Sequence, residues 1–252
     1  MSFSALKSCS EAIENYLKYH PGYPKKLLNY LYEDIGFSRE SVIADICSGT
    51  GVLTRLLLEQ GSRVVYVESD DQMREIAERL FSDEFQRFVS IKGTAEYTTL
   101  FNDAVNFIVC TRSLRQFCRD KYRQEFYRIM KPSGTIIFLY NRLNQEDDFI
   151  KECRRLTKTY QTYHETPYYR ELSEDEIVDF FESAPYNHIS FSHRQSLDYD
   201  GARDRFLPEI NFLEQWNNGY KEMFEEFNDI FNRYSQNKKI FINYTTEVYT
   251  GA

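Results

Sequence analysis

The chain has 252 residues, with 39 Asp+Glu against 31 Lys+Arg for a net charge of −8, and 16% of its positions are aromatic, including 20 Tyr and 20 Phe. This length suits a single domain with an elaborated cover. A composition of 42% hydrophobic residues with 10 Gly and 6 Pro excludes a disordered, low-complexity or collagen-like chain. The acidic balance offers no broad footprint for a phosphate backbone, so no nucleic acid is expected as partner. The first ten residues lack a secretory-signal pattern, and the longest clean apolar run, residues 136–140, falls far short of the roughly 20 needed to cross a bilayer. A cytoplasmic protein with no membrane partner is therefore expected. Five cysteines, Cys9, Cys47, Cys110, Cys118 and Cys153, contain no C-x-x-C pair, which points to reduced thiols, with neither a disulfide framework nor a metal site.

Along the chain, Leu27, Leu28, Leu31 and Ile35 recur at helical spacing after Pro24, predicting a helix over 25–36. A short β-branched run over 41–46 then meets Cys47-Ser48-Gly49-Thr50-Gly51 and a helix over 52–60: strand, glycine turn, helix. Further strands are predicted over 63–68, 87–92, 104–110 and 135–140, the last after the turn Lys131-Pro132-Ser133-Gly134, with a helix over 70–81. Strands alternating with helices at this spacing imply right-handed βαβ units and a doubly wound, mostly parallel α/β sheet. Beyond residue 141 the pattern changes. A helix is predicted over 146–160, and the capping box Ser173-Glu174-Asp175-Glu176 opens another over 174–181. A strand follows over 189–197, then a Phe- and Tyr-rich helical insertion over 209–234 and a last alternating strand over 240–249 that suits an antiparallel edge.

In doubly wound sheets, ligands bind outside the carboxyl ends of the strands, where the loop of residues 47–51 lies. Its glycines allow close backbone approach, and Glu68, at the end of the second strand, stands where an acid can accept both ribose hydroxyls of an adenosine. Gly49-Thr50-Gly51-Val52-Leu53-Thr54 lacks the third small residue of a dinucleotide fingerprint, which disfavours a nicotinamide cofactor, and no Gly-Lys-Ser/Thr follows to make a P-loop. Asp45, just before the loop, would oppose a pyrophosphate and welcome an ammonium; its bland alternative is to cap the turn.

The run Val42-Ile43-Ala44-Asp45-Ile46-Cys47-Ser48-Gly49-Thr50-Gly51 resembles motif I of class I S-adenosylmethionine-dependent methyltransferases, and Val65-Tyr66-Val67-Glu68-Ser69-Asp70-Asp71-Gln72-Met73 resembles the acidic segment that follows it. Gly93-Thr94-Ala95-Glu96 is similar to the adenine-side segment, and Met130-Lys131-Pro132-Ser133-Gly134 to the turn before the fifth strand. Tyr16-Leu17-Lys18-Tyr19-His20-Pro21-Gly22-Tyr23-Pro24 looks like the entry of the small-molecule ("type 11-like") branch, and Asn243-Tyr244-Thr245-Thr246-Glu247-Val248-Tyr249 like its last strand.

The resemblance implies a Rossmann-like, seven-stranded, mostly parallel sheet with an antiparallel edge strand and a helical lid. It implies one methyltransferase domain over 1–252: N-terminal lid helices over 1–36, a cofactor-binding core over 41–140, lid helices over 141–185 and 200–236, and closing strands over 187–197 and 238–249. S-adenosyl-L-methionine is the implied cofactor, held by Tyr16, Tyr19, His20, Asp45, Cys47, Ser48, Gly49, Gly51, Glu68, Ser69, Met73, Thr94, Ala95, Glu96 and Thr111. Three departures stand out. Cys47 replaces the usual first glycine, which is tolerable if the position needs no positive φ. His20 stands where arginine is common. Arg115, where relatives often carry His, is a candidate for orienting an anionic acceptor.

His164, in the aromatic stretch 159–165, is the candidate base, against the bland reading of a surface histidine; His188 and His193 read as structural. Tyr16, Tyr19 and Tyr23 either pack over a sulfonium or simply pack. The Phe224, Phe227, Phe231 and Tyr234 stripe reads as core, and the aromatic surplus as a whole is assigned to the lid. In-line methyl transfer needs chiefly alignment, so no conspicuous catalytic residue is required. The expected protein is a monomeric or homodimeric enzyme methylating O or N of a small aromatic or heterocyclic acceptor. The alternatives are an RNA methyltransferase and a catalytically silent regulatory subunit.

Overall fold

The structure, a computed structural model, describes residues 19–111, 114, 117–160, 173–182, 184–207 and 220–252. Its strands are β1 (Val42–Ile46), β2 (Arg63–Glu68), β3 (Phe88–Lys92), β4 (Val105–Cys110), β5 (Met130–Leu143), β6 (Tyr186–Leu197) and β7 (Ile240–Gly251). The helices are α1 (Lys25–Asn29), α2 (Val52–Glu59), α3 (Asp71–Phe81), α4 (Arg119–Ile129), α5 (Asp148–Thr159), α6 (Glu174–Phe181), α7 (Tyr199–Phe206) and α8 (Tyr220–Tyr234). The strands form one sheet in the order β3-β2-β1-β4-β5-β7-β6. Pairing from β3 across to β5 is parallel throughout, and antiparallel pairing is confined to the edge, so the sheet is the mixed, Rossmann-like one predicted. The order reverses between β1 and β4, which makes the carboxyl end of β1 the switch point.

The described chain divides into two compact units. One, the sheet unit, comprises Tyr23–Asn141, Pro167–Phe191 and Thr246–Ala252. Its strands carry β-branched and aliphatic residues in continuous runs, as strands buried on both faces must. Alternation sends Ala44, Ile46, Val65, Val67, Ile108 and Cys110 to one face, where they meet Tyr122, Phe126 and Ile129 of α4 and Ile177, Phe180 and Phe181 of α6. The other face takes Ile43, Val64, Tyr66, Phe107 and Val109 against Leu27 and Leu31, Leu53 and Leu57 of α2, and Ala77 and Phe81 of α3. The capping box at Ser173 is present, with both reciprocal bonds to Glu176. Helix α6, within residues expected to build the lid, spends its apolar face on the sheet.

The second unit comprises the described residues within Met1–Gly22, Arg142–Thr166 and Ser192–Thr245. Its core joins Phe149, Cys153 and Leu156 of α5, Ala202 of α7, Met223, Phe227, Ile230 and Phe231 of α8, and Ile240, Ile242 and Tyr244 of β7. The Phe227 and Phe231 stripe is thus core, as its spacing predicted. The aromatic surplus is not confined to this unit: Phe180 meets Phe138 at 4.9 Å and stacks on Tyr122 at 5.7 Å in the sheet unit.

Three local expectations are corrected. The helix over 25–36 is α1 followed by a π-helical turn, Tyr30–Asp34, in which the Ile35 N–H reaches back to the Tyr30 carbonyl at 3.0 Å. This keeps Leu27 and Leu31 buried while the Tyr32 hydroxyl reaches the Ser62 hydroxyl at 2.6 Å. The turn expected at 131–134 lies inside β5. Val105 pairs with Met130 and Phe107 with Thr135, so two steps on β4 oppose five on β5 and the three surplus residues bulge. Pro132 has no N–H for the ladder, and a Cβ on Gly134 would stand 2.8 Å from the Asn106 carbonyl oxygen. Within the segment 200–236 expected to be helical, the first element is α7, which starts one residue early at Tyr199 and is opened by Asp198, whose side chain accepts from the Gly201 N–H at 2.8 Å. No helix among the described residues is long and apolar enough to cross a membrane.

Candidate functional site

The loop at the switch point is built by backbone conformation. Cys47, Gly49 and Gly51 hold φ of 57°, 56° and 74°, so three of five consecutive residues are left-handed. Parallel pairing continues through the Cys47 N–H to the Val67 carbonyl at 2.9 Å, after which the chain leaves the sheet. The Gly51 N–H bonds the Ser48 carbonyl at 3.0 Å, closing the turn, and Gly51 becomes the N-cap of α2. A Cβ there would lie 2.7 Å from the Phe81 ring, so both φ and space demand glycine. Cys47 contradicts the condition under which it seemed tolerable: the position does need positive φ, and a non-glycine residue there carries strain of about 1–2 kcal/mol.

Glu68 ends β2 beside this loop. Its Oε2 accepts the Gly49 N–H at 2.9 Å, and its Oε1 accepts the Ser69 and Asp70 N–H groups at 2.8 and 3.1 Å. One half-buried carboxylate therefore ties the glycine loop to the turn that starts α3. Asp70 caps that helix, accepting from the Gln72 and Met73 N–H groups at 2.8 and 2.9 Å. The Tyr66 hydroxyl, buried in mid-strand, donates to the Gly49 carbonyl. Asp45 is fully buried and its Oδ2 accepts the Thr54 hydroxyl at 2.6 Å, while the Ser48 hydroxyl donates to its carbonyl. The carboxylate thus braces α2 against β1, which is close to the bland reading of this residue.

Asp45, Cys47, Ser48, Gly49, Gly51, Glu68, Ser69 and Met73 accordingly belong to one bonded neighbourhood. Thr94, Ala95 and Glu96 follow β3, linked to it by the Gly93 N–H to the Glu68 carbonyl at 3.3 Å. Ala95 is buried in the core. Thr94 closes a tight turn with Tyr97, and Glu96 accepts the Cys118 N–H at 2.7 Å, capping α4 in place of a local side chain. Thr111 follows β4, the neighbour of β1. Tyr19 and His20 belong to the second unit, where the Tyr19 ring lies against Gly201 and its carbonyl accepts from Gln195 Nε2 at 3.0 Å. Tyr16, Arg115 and His164 lie outside the described residues.

Sequence reasoning missed the clamp that holds the segment after β3. Glu125 Oε1 accepts the Thr98 N–H and hydroxyl at 2.8 and 2.6 Å, and Arg128 reaches Glu125, the Leu100 carbonyl and Asn102, each at 2.8 Å. Burial pushes the Glu125 carboxyl up, but the Arg128 guanidinium and the Thr98 donors outweigh it and hold the group below the usual range. The one available signal was Glu125 and Arg128 three apart, the spacing of neighbours on a helix. Among the described residues no group of three or more His, Cys, Asp or Glu is placed to hold a metal ion.

Comparison with known proteins follows this geometry. Residues 44–138 match the family model of a methyltransferase domain. Two uncharacterized relatives from Schizosaccharomyces pombe, a methyltransferase and a methyltransferase-like protein, are 23% and 20% identical over 57% and 62% of this chain. The chain spans 56% and 60% of their lengths. A putative methyltransferase from an antibiotic biosynthesis pathway of Anabaena variabilis superposes over 91% of this chain and 98% of its own, with TM-score 0.60 and 20% identity. Phosphoethanolamine N-methyltransferase 2 of Haemonchus contortus, solved with phosphomonomethylethanolamine and S-adenosylhomocysteine, covers 96% of this chain with 57% of its own, at TM-score 0.56 and 14% identity. These two likenesses are of fold.

Proposed function

We propose that the protein is a class I, S-adenosylmethionine-dependent methyltransferase that binds its cofactor at the β1–α2 loop and methylates a small molecule, a reading supported by the match of residues 44–138 to a methyltransferase-domain model. The observation that carries the reading is the Glu68 carboxylate, placed by the Gly49 amide beside a left-handed glycine turn at the sheet's switch point.

The residues present suit the cofactor. Each Glu68 oxygen has two lone pairs, and Oε2 uses one on Gly49, leaving acceptor capacity for a ribose hydroxyl. The glycine turn allows backbone approach to the ligand, and the buried Asp45 braces α2 beneath the loop through the Thr54 hydroxyl. When bound, S-adenosylmethionine supplies an activated methyl on a sulfonium. The chain's own task is to hold donor and acceptor in line and exclude water. We assign cofactor contact to Asp45, Cys47, Ser48, Gly49, Gly51, Glu68, Ser69, Met73, Thr94, Ala95, Glu96 and Thr111, with Tyr16, Tyr19 and His20 covering the methionine end. His164 and Arg115 are the candidates for handling the acceptor's proton and its charge. The acceptor is proposed to be aromatic or heterocyclic and methylated at O or N, a reading supported by the net charge of −8 and by the aromatic segments outside the sheet. A cytoplasmic location and a monomeric or homodimeric state complete the proposal.

Isothermal titration tests it first: wild type is expected to bind S-adenosylmethionine, and absence of binding would sink the reading. Glu68→Gln places an amide NH2 against N–H donors on one side of the carboxylate. It should weaken binding by about 1.5–3 kcal/mol, the worth of a hydrogen bond to a charged group, while the far-ultraviolet spectrum stays that of a folded sheet. A panel of phenols and amines, read by formation of demethylated cofactor, then separates an enzyme from a silent regulatory subunit.

A further inference from the structure

Two thiols that are 63 positions apart in sequence (110 − 47) are neighbours in the sheet unit. Ile46 and Cys110 are register partners of the parallel pair β1 and β4. Partnered Cα atoms lie about 4.8 Å apart and a strand advances about 3.3 Å per residue. The β1–β4 register ends at this pair, and the Cys47 N–H still bonds Val67 on the β2 side; one step on from Ile46 therefore brings the Cys47 and Cys110 Cα atoms to roughly 6 Å, inside the 4.4–6.8 Å window of a disulfide.

Strand alternation would send the residue after Ile46 to the face of Ile43 and Asp45. The left-handed φ of 57° turns Cys47 away from that course: its side chain packs instead against the cluster that contains Cys110, Ile46 and Ala44. The left-handed backbone at position 47 thus places this thiol against the cluster that holds the second thiol. Their accessibilities differ in a useful way, since Cys47 is half-buried and Cys110 fully buried.

We propose that Cys47 and Cys110 form a reversible disulfide that disables the glycine loop under oxidation by small disulfides such as oxidised glutathione. The Cys47 thiolate attacks one sulfur of the small disulfide, breaking its S–S bond; the expelled thiolate takes up the proton that Cys47 gave to solvent. Cys110, deprotonated in turn, attacks the Cys47 sulfur of the mixed disulfide, forming the internal S–S bond and expelling the second small thiol. Two protein thiols are oxidised and one small disulfide is reduced to two thiols. Only the more accessible Cys47 has to meet the reagent, and the buried Cys110 serves as the resolving group. The bond ties residue 47 to β4, while Gly49, two residues on, must stay free to hold its amide on Glu68.

Thiol titration and non-reducing peptide mapping of the full-length protein after exposure to oxidised glutathione test this. Wild type should lose two of its five thiols and yield a linked pair of peptides containing Cys47 and Cys110. Cys118→Ser should leave that link intact, whereas Cys47→Ser and Cys110→Ala, checked for native thermal melts, should each prevent it. The effect on affinity rests on the function proposed above: oxidised wild type should bind S-adenosylmethionine about tenfold or more weakly, the equivalent of losing one hydrogen bond to a charged group, and dithiothreitol should restore it. If reduced wild type does not bind the cofactor, that function fails while the mapping still decides the thiol pair. No Cys47–Cys110 link, a mixed glutathione adduct that persists on Cys47, or a link through another cysteine overturns the proposal.

Discussion

The two units bury aromatic rings by different means. In the sheet unit rings from helices and strands meet over an aliphatic surface already flattened by strands: Phe180 of α6 stacks on Tyr122 of α4 and meets Phe138 of β5 edge-on, with Ile108 and Ile136 in the same cluster. In the second unit the rings themselves are the frame. Phe149 of α5 meets Phe206 at 5.4 Å, Phe227 at 6.3 Å and Tyr234 at 6.2 Å, and Tyr199 meets Phe227 and Phe231 at 5.7 and 5.3 Å. Edge-to-face pairs of this kind add about 0.5–1.5 kcal/mol beyond their buried area and fix geometry where no ladder of backbone bonds does so. The glycine loop sits in the unit whose geometry is set by the ladder. A glycine turn has to be placed to within a fraction of an ångström, and the backbone bonds of β1 and β2 do that directly.

The largest predicted effects test whether the two cores are separate. Phe180→Ala and Phe227→Ala each empty a fully buried ring site and should each cost about 3–5 kcal/mol. Amide hydrogen exchange is expected to localise the loss: Phe180→Ala should accelerate exchange in α4 and β4, and Phe227→Ala in α5 and α7. Equal acceleration everywhere in both variants would merge the two cores into one cooperative unit and remove the comparison.

A smaller effect concerns the clamp that fixes the segment after β3. Glu125→Gln keeps the shape but removes the charge that holds Arg128 and receives both Thr98 donors, so it should cost about 1.5–3 kcal/mol. The native carboxyl titrates below its ordinary value of 4.5. Its stabilisation is therefore complete above about pH 4.5, where the unfolded group is ionised, and is lost as pH falls through the lower native value. Urea midpoints for wild type should drop through that acid range while those for Glu125→Gln drop less; parallel curves would show that the clamp does not depend on charge.

Much of the sheet unit was legible because its signals are local. The limits of β2 fall where the apolar run predicts, Asp70 and Ser173 mark the starts of α3 and α6 by capping chemistry, and Gly49, Gly51 and Glu68 come together as their spacing implies. What escaped depends on pairings between distant residues. The bulge in β5 lies opposite Asn106 on β4, the Glu125 clamp closes on a loop 27 positions away, and the approach of Cys47 to Cys110 follows from strand register. Cys47 shows the limit well. Its identity was plain and its neighbours were read correctly, but whether position 47 needs positive φ is a property of the turn and not of the residue.

The finest test of the contrast is a difference in acid response. In the second unit, His193 of β6 lies against the Tyr244 ring at 5.4 Å, near parallel, and burial pushes its pKa below the ordinary 6.5. The depressed value favours the neutral ring in the native state. As pH falls below about 6.5 the unfolded chain takes up a proton that the native chain resists, so stability declines until the lower native pKa is passed. The helical unit should thus begin to loosen near pH 6, well before the Glu125 clamp responds. Exchange of the amides of residues 240–245 should quicken between pH 6.5 and 5 relative to the intrinsic rate, while those of β1 and β4 hold. His193→Gln should flatten that slope, because no imidazolium remains to be hydrated on opening. If the slope survives the substitution, the acid sensitivity of this unit comes from groups other than His193.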